Sequence, residues 1–288
     1  MSQVIQDKKG RAKNRSPKNI EAVVLSILVY GAAVITFGML LYIIGYILVK
    51  GVPHLSFDFF SWEYNSDNVS VVPAAINTVF MAVMTLAIVV PIGIGAAIYT
   101  VEYAKRGSKL VKVVRLTTET LSGIPSIVYG LFGLLFFVTA MKWNQSLLAG
   151  AFTLAIMVLP VIMRTTEEAL QSVPDSYREA SFGLGAGRLR TVFRIVLPSA
   201  VPGILSGVIL AVGRIVGETA ALLYTSGTIA KIPGSPMESG RTLALHMWVL
   251  ANEGLHEDKA YATAVILLLL VIGINFLSNK VAGKLAKA

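Results

Sequence analysis

Residues 167–218 read EEALQSVPDSYREASFGLGAGRLRTVFRIVLPSAVPGILSGVILAVGRIVGE, and this stretch decides the fold. Its first half is polar and rich in glycine, whereas its second half is apolar for the length of a membrane-spanning helix. Arg214 and Glu218 lie in the apolar half, four residues apart, so in a continuous helix they would share one face. We therefore predict a loop at the water side of a membrane, followed by a transmembrane helix that contains a charged pair.

The polar half predicts two short helices joined by a tight turn. Pro174 and Asp175 favour a helix start, because proline is tolerated in a first turn and a carboxylate suits the positive end of the helix dipole. We expect the first helix over residues 176–182 and the second over 188–196, before Pro198. Three glycines between them can stop the first helix and turn the chain: Gly183, Gly185 and Gly187. Such an elbow suits insertion into a cleft of another protein.

The spacing of residues in this elbow is similar to a known motif. Glu179-Ala180-Ser181 is followed by Gly185, six residues after the glutamate, and then by Ile195-Val196-Leu197-Pro198. This pattern resembles the EAA loop of ABC-importer permeases, with Ser181 at a place where the motif prefers alanine. The resemblance implies that the loop carries the coupling helix that docks on a cytoplasmic ATPase. The residues it would assign to that role are Glu179, Ala180, Ser181, Gly185, Ile195, Leu197 and Pro198.

The glycines of the elbow suggest two other interpretations. The elbow could be a cytoplasmic linker whose glycines only provide turns, and this alternative stays open. A nucleotide-binding loop is excluded, since Arg188 occupies the place of the last glycine in GxGxxG and no predicted strand precedes the motif.

Composition places the chain among integral membrane proteins. Its 288 residues are 55% hydrophobic and only 14% charged, with a mean hydropathy of +0.71. The net charge of +9 does not indicate a nucleic-acid partner, because the basic residues flank apolar runs on alternate sides, as membrane topology requires. The chain has no Cys, which excludes disulfides, and its three scattered His predict no metal site.

The apolar runs predict an all-α protein with six transmembrane helices. Of the 25 Lys and Arg residues, nineteen fall on the predicted inner side, five outside and one within the bilayer, which places both termini in the cytoplasm. The predicted spans are residues 22–49, 74–103, 122–140, 146–163, 198–223 and 261–277. The predicted divisions are a basic tail (1–20), a first helix with an external loop (21–72), and a permease core (73–282) that contains the coupling loop (167–197).

The second span leaves one alternative open, and two further segments carry a single expectation. Pro91 interrupts the second span, and it either produces a fixed packing bend or acts as a hinge. The external segment 224–259 is expected to contain a short amphipathic helix over 243–255. The basic tail is expected to contact anionic lipid.

The charged residues of the fifth span have two possible roles. A charge in hydrocarbon costs about 3 kcal/mol, so Arg214 and Glu218 must be paired or face a polar path. Either they form an internal salt bridge that fixes packing, or Arg214 faces the translocation path and offers its planar donors to an oxyanion. In the second case Glu218 would hold Arg214 and prevent the anion from binding too tightly.

A second resemblance concerns the substrate. Residues 203–210, Gly213-Arg214, Gly217-Glu218-Thr219-Ala220 and the stretches 123–133 and 240–244 are similar to phosphate-importer permeases, in particular to the PstA type. The resemblance implies the type I, MetI-like permease fold and a place in the bacterial inner membrane. It implies phosphate as substrate, a PstC-type permease as heterodimer partner, two copies of an ATPase subunit and an external phosphate-binding protein. The family's functional Arg and Glu correspond to Arg214 and Glu218.

The chain itself is not expected to be an enzyme. It contains no GxxxxGK[ST] loop, so ATP and Mg²⁺ would bind to the partner ATPase and no cofactor to this chain. Within the same class, the alternatives are a PstC-type permease or a permease for another oxyanion. From other classes, an ion-coupled secondary transporter or a membrane scaffold stays open.

Overall fold

The computed structural model describes residues 20–105 and 107–285, and the predicted basic tail lies outside the described residues apart from Ile20. Every regular element among the described residues is helical, as predicted. The eleven α-helices are α1 (Ile20–Gly51), α2 (Val72–Ile98), α3 (Lys109–Ser122), α4 (Ser126–Gly133), α5 (Leu147–Gln171), α6 (Asp175–Gly183), α7 (Arg188–Thr191), α8 (Leu197–Val216), α9 (Ala220–Thr225), α10 (Leu243–Glu253) and α11 (Glu257–Leu285).

The chain divides into two units, residues 1–49 and residues 50–288. The described part of the first unit is α1, an uninterrupted apolar helix as predicted, whose described side chains are mostly exposed. Ser26 and Thr36 donate their hydroxyls to carbonyls four residues earlier in this helix. Such internal bonds satisfy polar groups that hydrocarbon cannot.

The second unit is built around α5. Two thirds of the apolar window of this helix (67%) are buried, compared with 28% for α2 and 33% for the helix that contains α8. The central core joins side chains of α2, α5, α8, α9 and α10, among them Met81, Leu154, Ile162, Ile215, Leu222 and Leu245. α5 is therefore the central helix of this unit, and α2 and α8 pack against it.

Within the described residues, five helical segments are long and apolar enough to cross a membrane, and a sixth span results when a bent pair is taken as one. The bent pair is Lys109–Ser122 with Ser126–Ala140, which meet at 104°. The third span was predicted to begin at residue 122, but α3 ends there and α4 begins only at Ser126. Gly123 and Pro125 cause the bend, since glycine commonly ends a helix and proline disfavours helical geometry in the residue before it.

The predicted limits of the fifth span were wrong at both ends. Residues Arg188–Val216 form one continuous helical segment, so Pro198 does not end the second helix of the elbow. A π-helical turn over Val192–Val196 leads into α8, and Pro198 lies in its first turn, where a missing N–H is tolerated. The span then breaks at Gly217 instead of continuing to residue 223.

The side of the molecule that carries α6 and α7 is called the inner side, and the opposite side the outer side. On the outer side, α10 confirms the predicted short helix, two residues shorter than predicted and without a marked amphipathic pattern, and Gly254 follows it in the left-handed region (φ 67°). The loop before α2 belongs to the second unit, unlike the predicted grouping with the first helix. It is held there by Phe59 and Val71, which are buried against Leu243 and Ala262.

Candidate functional site

The elbow consists of α6, a turn, α7 and the π-helical turn that ends at Val196. α6 covers Asp175–Gly183, one residue longer at each end than predicted. Gly185 has a positive φ of 81°, as its role in the turn required, and its amide donates to the carbonyl of Phe182. The local signals of glycine, proline and an N-terminal acid were sufficient to predict this element.

Ser181 connects the two limbs of the elbow. Its side chain is buried, and its hydroxyl lies 2.8 Å from that of Thr191 on α7. Alanine at this position could not form the bond, so Ser181 adds a polar link that the prediction from the motif did not include.

The remaining motif residues occupy different places around the elbow. A cavity of about 420 Å³ opens on the elbow, and its wall includes Ala180, Ser181, Gly185 and Ile195. Glu179 and Pro198 are exposed, whereas Leu197 packs against the inner apolar cluster formed by α2, α5 and α8. Several large apolar side chains of the elbow are also exposed: Tyr177, Phe182, Leu184, Leu189 and Phe193. The elbow therefore presents an apolar surface with a cavity in it.

Arg178 was missed in the sequence, although it holds the elbow in place. Its guanidinium donates to Glu102 at the inner end of α2, with Nη2 2.7 Å from Oε1, and to the carbonyls of Leu170 and Val173. Glu102 lies 76 residues earlier. The only signal in the sequence was an acidic residue at the end of a span whose flank is otherwise basic.

Arg214 and Glu218 do not form the predicted ion pair. α8 ends at Val216, so Glu218 lies beyond the helix, and the prediction of one continuous helix was wrong. Among the described residues, no carboxylate lies within the 4.0 Å ion-pair distance of Arg214. Gly217 and Thr219 explain the break, since both residues have low helix propensity.

Each of these two residues has its own surroundings. Arg214 is half-buried, and Tyr129 of α4 donates its hydroxyl to the Leu121 carbonyl at 2.7 Å. Glu218 is buried, with 9% of its surface exposed, and it accepts a hydrogen bond from the Ala221 amide. Arg214 thus has no ion-pair partner among the described residues, while Glu218 holds the start of α9.

An inner cavity of about 460 Å³ lies between α3, α5 and α8. Arg115 of α3 and Glu167 of α5 lie on its wall and form an ion pair, with Nε 3.4 Å from Oε2. α8 contributes Leu210, one turn before Arg214. The cavity therefore extends from the inner side of the molecule to a point on α8 that is one helical turn before Arg214.

On the outer side, Arg241 and His246 form a buried cluster with Tyr64. The Arg241 guanidinium stacks over the Tyr64 ring at 4.6 Å, and the His246 ring meets the same ring edge-to-face at 6.0 Å. Burial, with Arg241 as a second cause, lowers the pKa of His246 to about 3. His246 is therefore neutral at physiological pH, and Arg241 carries the positive charge of the cluster.

Known proteins are similar to this chain in sequence and architecture. Residues 89–287 match the model of a family described as "Binding-protein-dependent transport system inner membrane component". The chain belongs to this family. It is therefore a multi-pass membrane protein and a permease component of a transport system.

Curated relatives are similar over most of their length. The chain is 34% identical over 261 residues to "Probable ABC transporter permease protein YqgI" of Bacillus subtilis, covering 84% of this chain and 88% of the relative. It is 34% identical to "Phosphate transport system permease protein PstA" of Pasteurella multocida, with coverage of 84% and 88%. It is 32% identical to the protein of the same name from Yersinia pestis, with coverage of 94% and 92%.

Solved structures show the same fold at lower identity. A bacterial alginate ABC transporter, solved in complex with an alginate pentasaccharide-bound periplasmic protein, superposes with a TM-score of 0.66 at 17% identity, over 94% of this chain and 99% of that chain. The inward-facing MetNI methionine ABC transporter gives 0.60 at 21% identity, over 75% and 94%. The predicted ABC-importer permease fold of the MetI type is confirmed.

Proposed function

We propose that this chain is a permease subunit of an ATP-driven phosphate importer in a bacterial inner membrane, where it forms half of the translocation path. The observation that carries this proposal is the elbow, whose exposed apolar surface and cavity lie at the end of the helical segment that leads to Arg214. Relatives that share about a third of the sequence and are named as PstA phosphate permeases support phosphate as substrate.

The elbow fits the role of the surface that docks on an ATPase. The exposed rings of Tyr177 and Phe193, with Leu184 at 90% exposure, form the kind of apolar patch that marks an interaction site. A side chain from the ATPase would enter the cavity beside Ala180 and Gly185. ATP and Mg²⁺ would bind to that partner, because this chain contains no phosphate-binding loop.

Arg214 fits the recognition of an oxyanion. Its guanidinium is half-buried and forms no ion pair with a described carboxylate, so its donors are available to a ligand. Guanidinium groups bind phosphate through two parallel hydrogen bonds. Glu218 acts on the path by fixing the break after α8, which sets the position of Arg214.

A second permease and an external protein would complete the importer. The outer segment between α9 and α10 has exposed apolar side chains, including Ile229, Ile232 and Met237, that can contact a phosphate-binding protein. A PstC-type permease would form the other half of the path, and two ATPase copies would dock on the two elbows. This chain would remain a transport component without hydrolytic activity of its own.

Co-purification and uptake together test this function. A tagged chain, extracted from its own membrane, is expected to bring with it a second permease and an ATPase. Cells that contain the complex should accumulate ³²P-phosphate faster than cells that lack this chain. Recovery of the chain without an ATPase would contradict the proposal and favour a secondary transporter or scaffold. ATP-driven uptake of sulfate instead of phosphate would assign another oxyanion.

A further inference from the structure

The inner end of α2 is the meeting point of the elements on the inner side. A π-helical turn, Tyr99–Tyr103, ends this helix, and different side chains of the turn contact different helices. Thr100 donates to Glu167 of α5, which in turn pairs with Arg115 of α3. Arg188 of α7 lies over the Tyr103 ring at 5.4 Å. The end of α2 is therefore in contact with α5 and α7, and it is connected to α3 through Glu167.

The most extensive of these connections joins Glu102 to Arg178 on α6. Nη2 and Nε of Arg178 lie 2.7 and 3.2 Å from Glu102 Oε1. The same guanidinium donates to the carbonyls of Val173 at 2.7 Å and Leu170 at 2.9 Å, and to Asp175 at 3.2 Å. One side chain thus fixes α6, the end of α5 and the end of α2 to one another.

Burial distinguishes this ion pair from the Arg164–Glu168 pair on the inner side. The side chains of Arg178 and Glu102 are 14% and 8% exposed, whereas those of Arg164 and Glu168 are 73% and 64% exposed. Exposed pairs contribute little, because water and salt screen them. A buried, charge-assisted pair is stronger, and removal of one partner leaves the other charge unsatisfied. The Arg178–Glu102 pair is therefore the stronger of the two, and it joins different elements, whereas Arg164 and Glu168 both lie on α5.

The connectivity of the chain shows why such a link is needed. The elbow follows α5 and leads into α8, so a displacement of the elbow is transmitted to these two helices through the backbone. α2 precedes them in sequence and meets the elbow through side chains. Pro91 lies inside α2 and lacks the N–H that would complete the helical ladder, which leaves the inner part of this helix easier to bend.

We propose that Arg178 is a positioning residue that couples the elbow to α2, so that α6 and the inner end of α2 move as one body when the ATPase acts. The inference rests on the proposed function, since it assumes an ATPase docked on the elbow. It adds a third moving helix to the two that the backbone connects, and it assigns Pro91 the role of a hinge within α2.

The test uses the complete importer in proteoliposomes, with phosphate import and ATP hydrolysis measured together. Glu102→Gln keeps the size of the side chain but removes its charge. We expect the ATPase to remain bound and active while phosphate imported per ATP falls about tenfold, the change that loss of a charge-assisted hydrogen bond typically produces in an equilibrium. Glu168→Gln, which removes the exposed carboxylate on the same side, is the matched control and should keep the wild-type ratio.

A distance measurement separates coupling from simple stability. Spin labels at Tyr99 and Ser176, both exposed, are introduced as cysteines into a chain that has none. In the wild-type background their separation should stay constant between nucleotide-free and ATP-bound importer, and in Glu102→Gln it should change or broaden. If Glu102→Gln does not assemble, Arg178→Lys carries the test, because lysine keeps the charge but lacks the planar donor array.

Two results would overturn the link. One is a wild-type ratio of phosphate to ATP in the assembled variant, and the other is a label separation that stays constant in that variant. Failure of the wild-type importer to transport phosphate would refute the proposed function instead, so the two outcomes are distinguishable.

Discussion

Glu218 accepts a hydrogen bond from the backbone amide of Ala221, with Oε1 3.1 Å from the nitrogen. Ala221 lies in the first turn of α9, where helical amides have no partner within the helix. A carboxylate at this end also suits the helix dipole. Glu218 therefore stabilises the break between α8 and α9, and Arg214, one turn earlier, is left without a carboxylate partner among the described residues.

This cap predicts different effects for two substitutions of Glu218. Glu218→Gln retains an oxygen that can accept the same bond, so the thermal midpoint of the assembled complex should stay close to that of the wild type. Glu218→Ala removes the acceptor and should lower the free energy of unfolding by about 1 kcal/mol, as loss of a helix cap does. Equal midpoints for the alanine variant and the wild type would show that the bond has no stabilising role.

The positive φ of Gly185 predicts a loss of ATPase binding on substitution. A Cβ at Gly185 would meet no atom within 4 Å, so Gly185→Ala costs only the backbone strain of the left-handed region, about 1–2 kcal/mol. That strain should distort the elbow and reduce the ATPase recovered with the chain.

Gly107 provides the matched control for this experiment. Its φ of 83° and open surroundings are like those of Gly185, but it lies in another loop of the inner side. Gly107→Ala should strain the backbone equally and leave ATPase recovery unchanged. Equal recovery for both variants and the wild type would mean that the elbow does not dock the ATPase.

Two glycines of α8 are expected to differ in their tolerance of a methyl group. At Gly207 a Cβ would overlap the Thr165 side chain of α5, so Gly207→Ala must separate the two helices and lower the thermal midpoint. At Gly213 no atom lies within 4 Å, and Gly213→Ala should be neutral or stabilising by up to about 1 kcal/mol, because alanine favours helix. The reverse order of midpoints would be inconsistent with the α5–α8 packing.

The elbow could be predicted from sequence because its signals are local. Pro174, Asp175 and the glycines act on the backbone within a few residues, and the structure places α6 and the start of α7 where these residues required them. The end of the second helix was not predicted, since the helical segment continues past Pro198. The partner of Ser181 lies ten residues away, and that of Arg178 lies 76 residues away. No local pattern specifies such pairs, since they depend on how the spans pack.

The charged segment shows where local signals are ambiguous. Gly217 fits both a close helix contact and a helix end, and the spacing of Arg214 and Glu218 favoured the first interpretation. The break became evident only from the backbone, where Gly217 ends α8 and Thr219 precedes α9 with a φ of −120°. The bend between α3 and α4 was missed for the same reason. Glycine and proline are also frequent within membrane helices, so Gly123 and Pro125 did not by themselves predict a break.

The buried His246 predicts a stability that depends on pH. Its folded-state pKa is about 3, because burial and the nearby Arg241 disfavour the charged ring, compared with about 6.5 when unfolded. Below about pH 6.5 the unfolded chain binds a proton that the folded chain does not. The stability contributed by neutral His246 is therefore complete above this pH and decreases towards pH 3, by at most about 1.4 kcal/mol per pH unit.

Thermal midpoints measured from pH 7.5 down to 4.5 test this contribution. His246→Phe removes the titrating group and keeps an aromatic ring beside Tyr64. At low pH this variant should lose less stability than the wild type, whereas His256→Gln should lose as much as the wild type. An unchanged pH profile for His246→Phe would show that this residue is not the group that titrates.

The most direct test of the phosphate-permease assignment is ATP-dependent uptake of ³²P-phosphate by proteoliposomes that contain the purified complex and a phosphate-loaded binding protein. We expect uptake by the wild type, loss of at least nine tenths of it in Arg214→Gln, and near-normal uptake in Arg164→Gln, whose exposed guanidinium pairs with Glu168 on the inner surface. Uptake by the Arg214→Gln complex at the wild-type rate, with equal amounts of assembled complex, would contradict the assignment of Arg214 to the phosphate path.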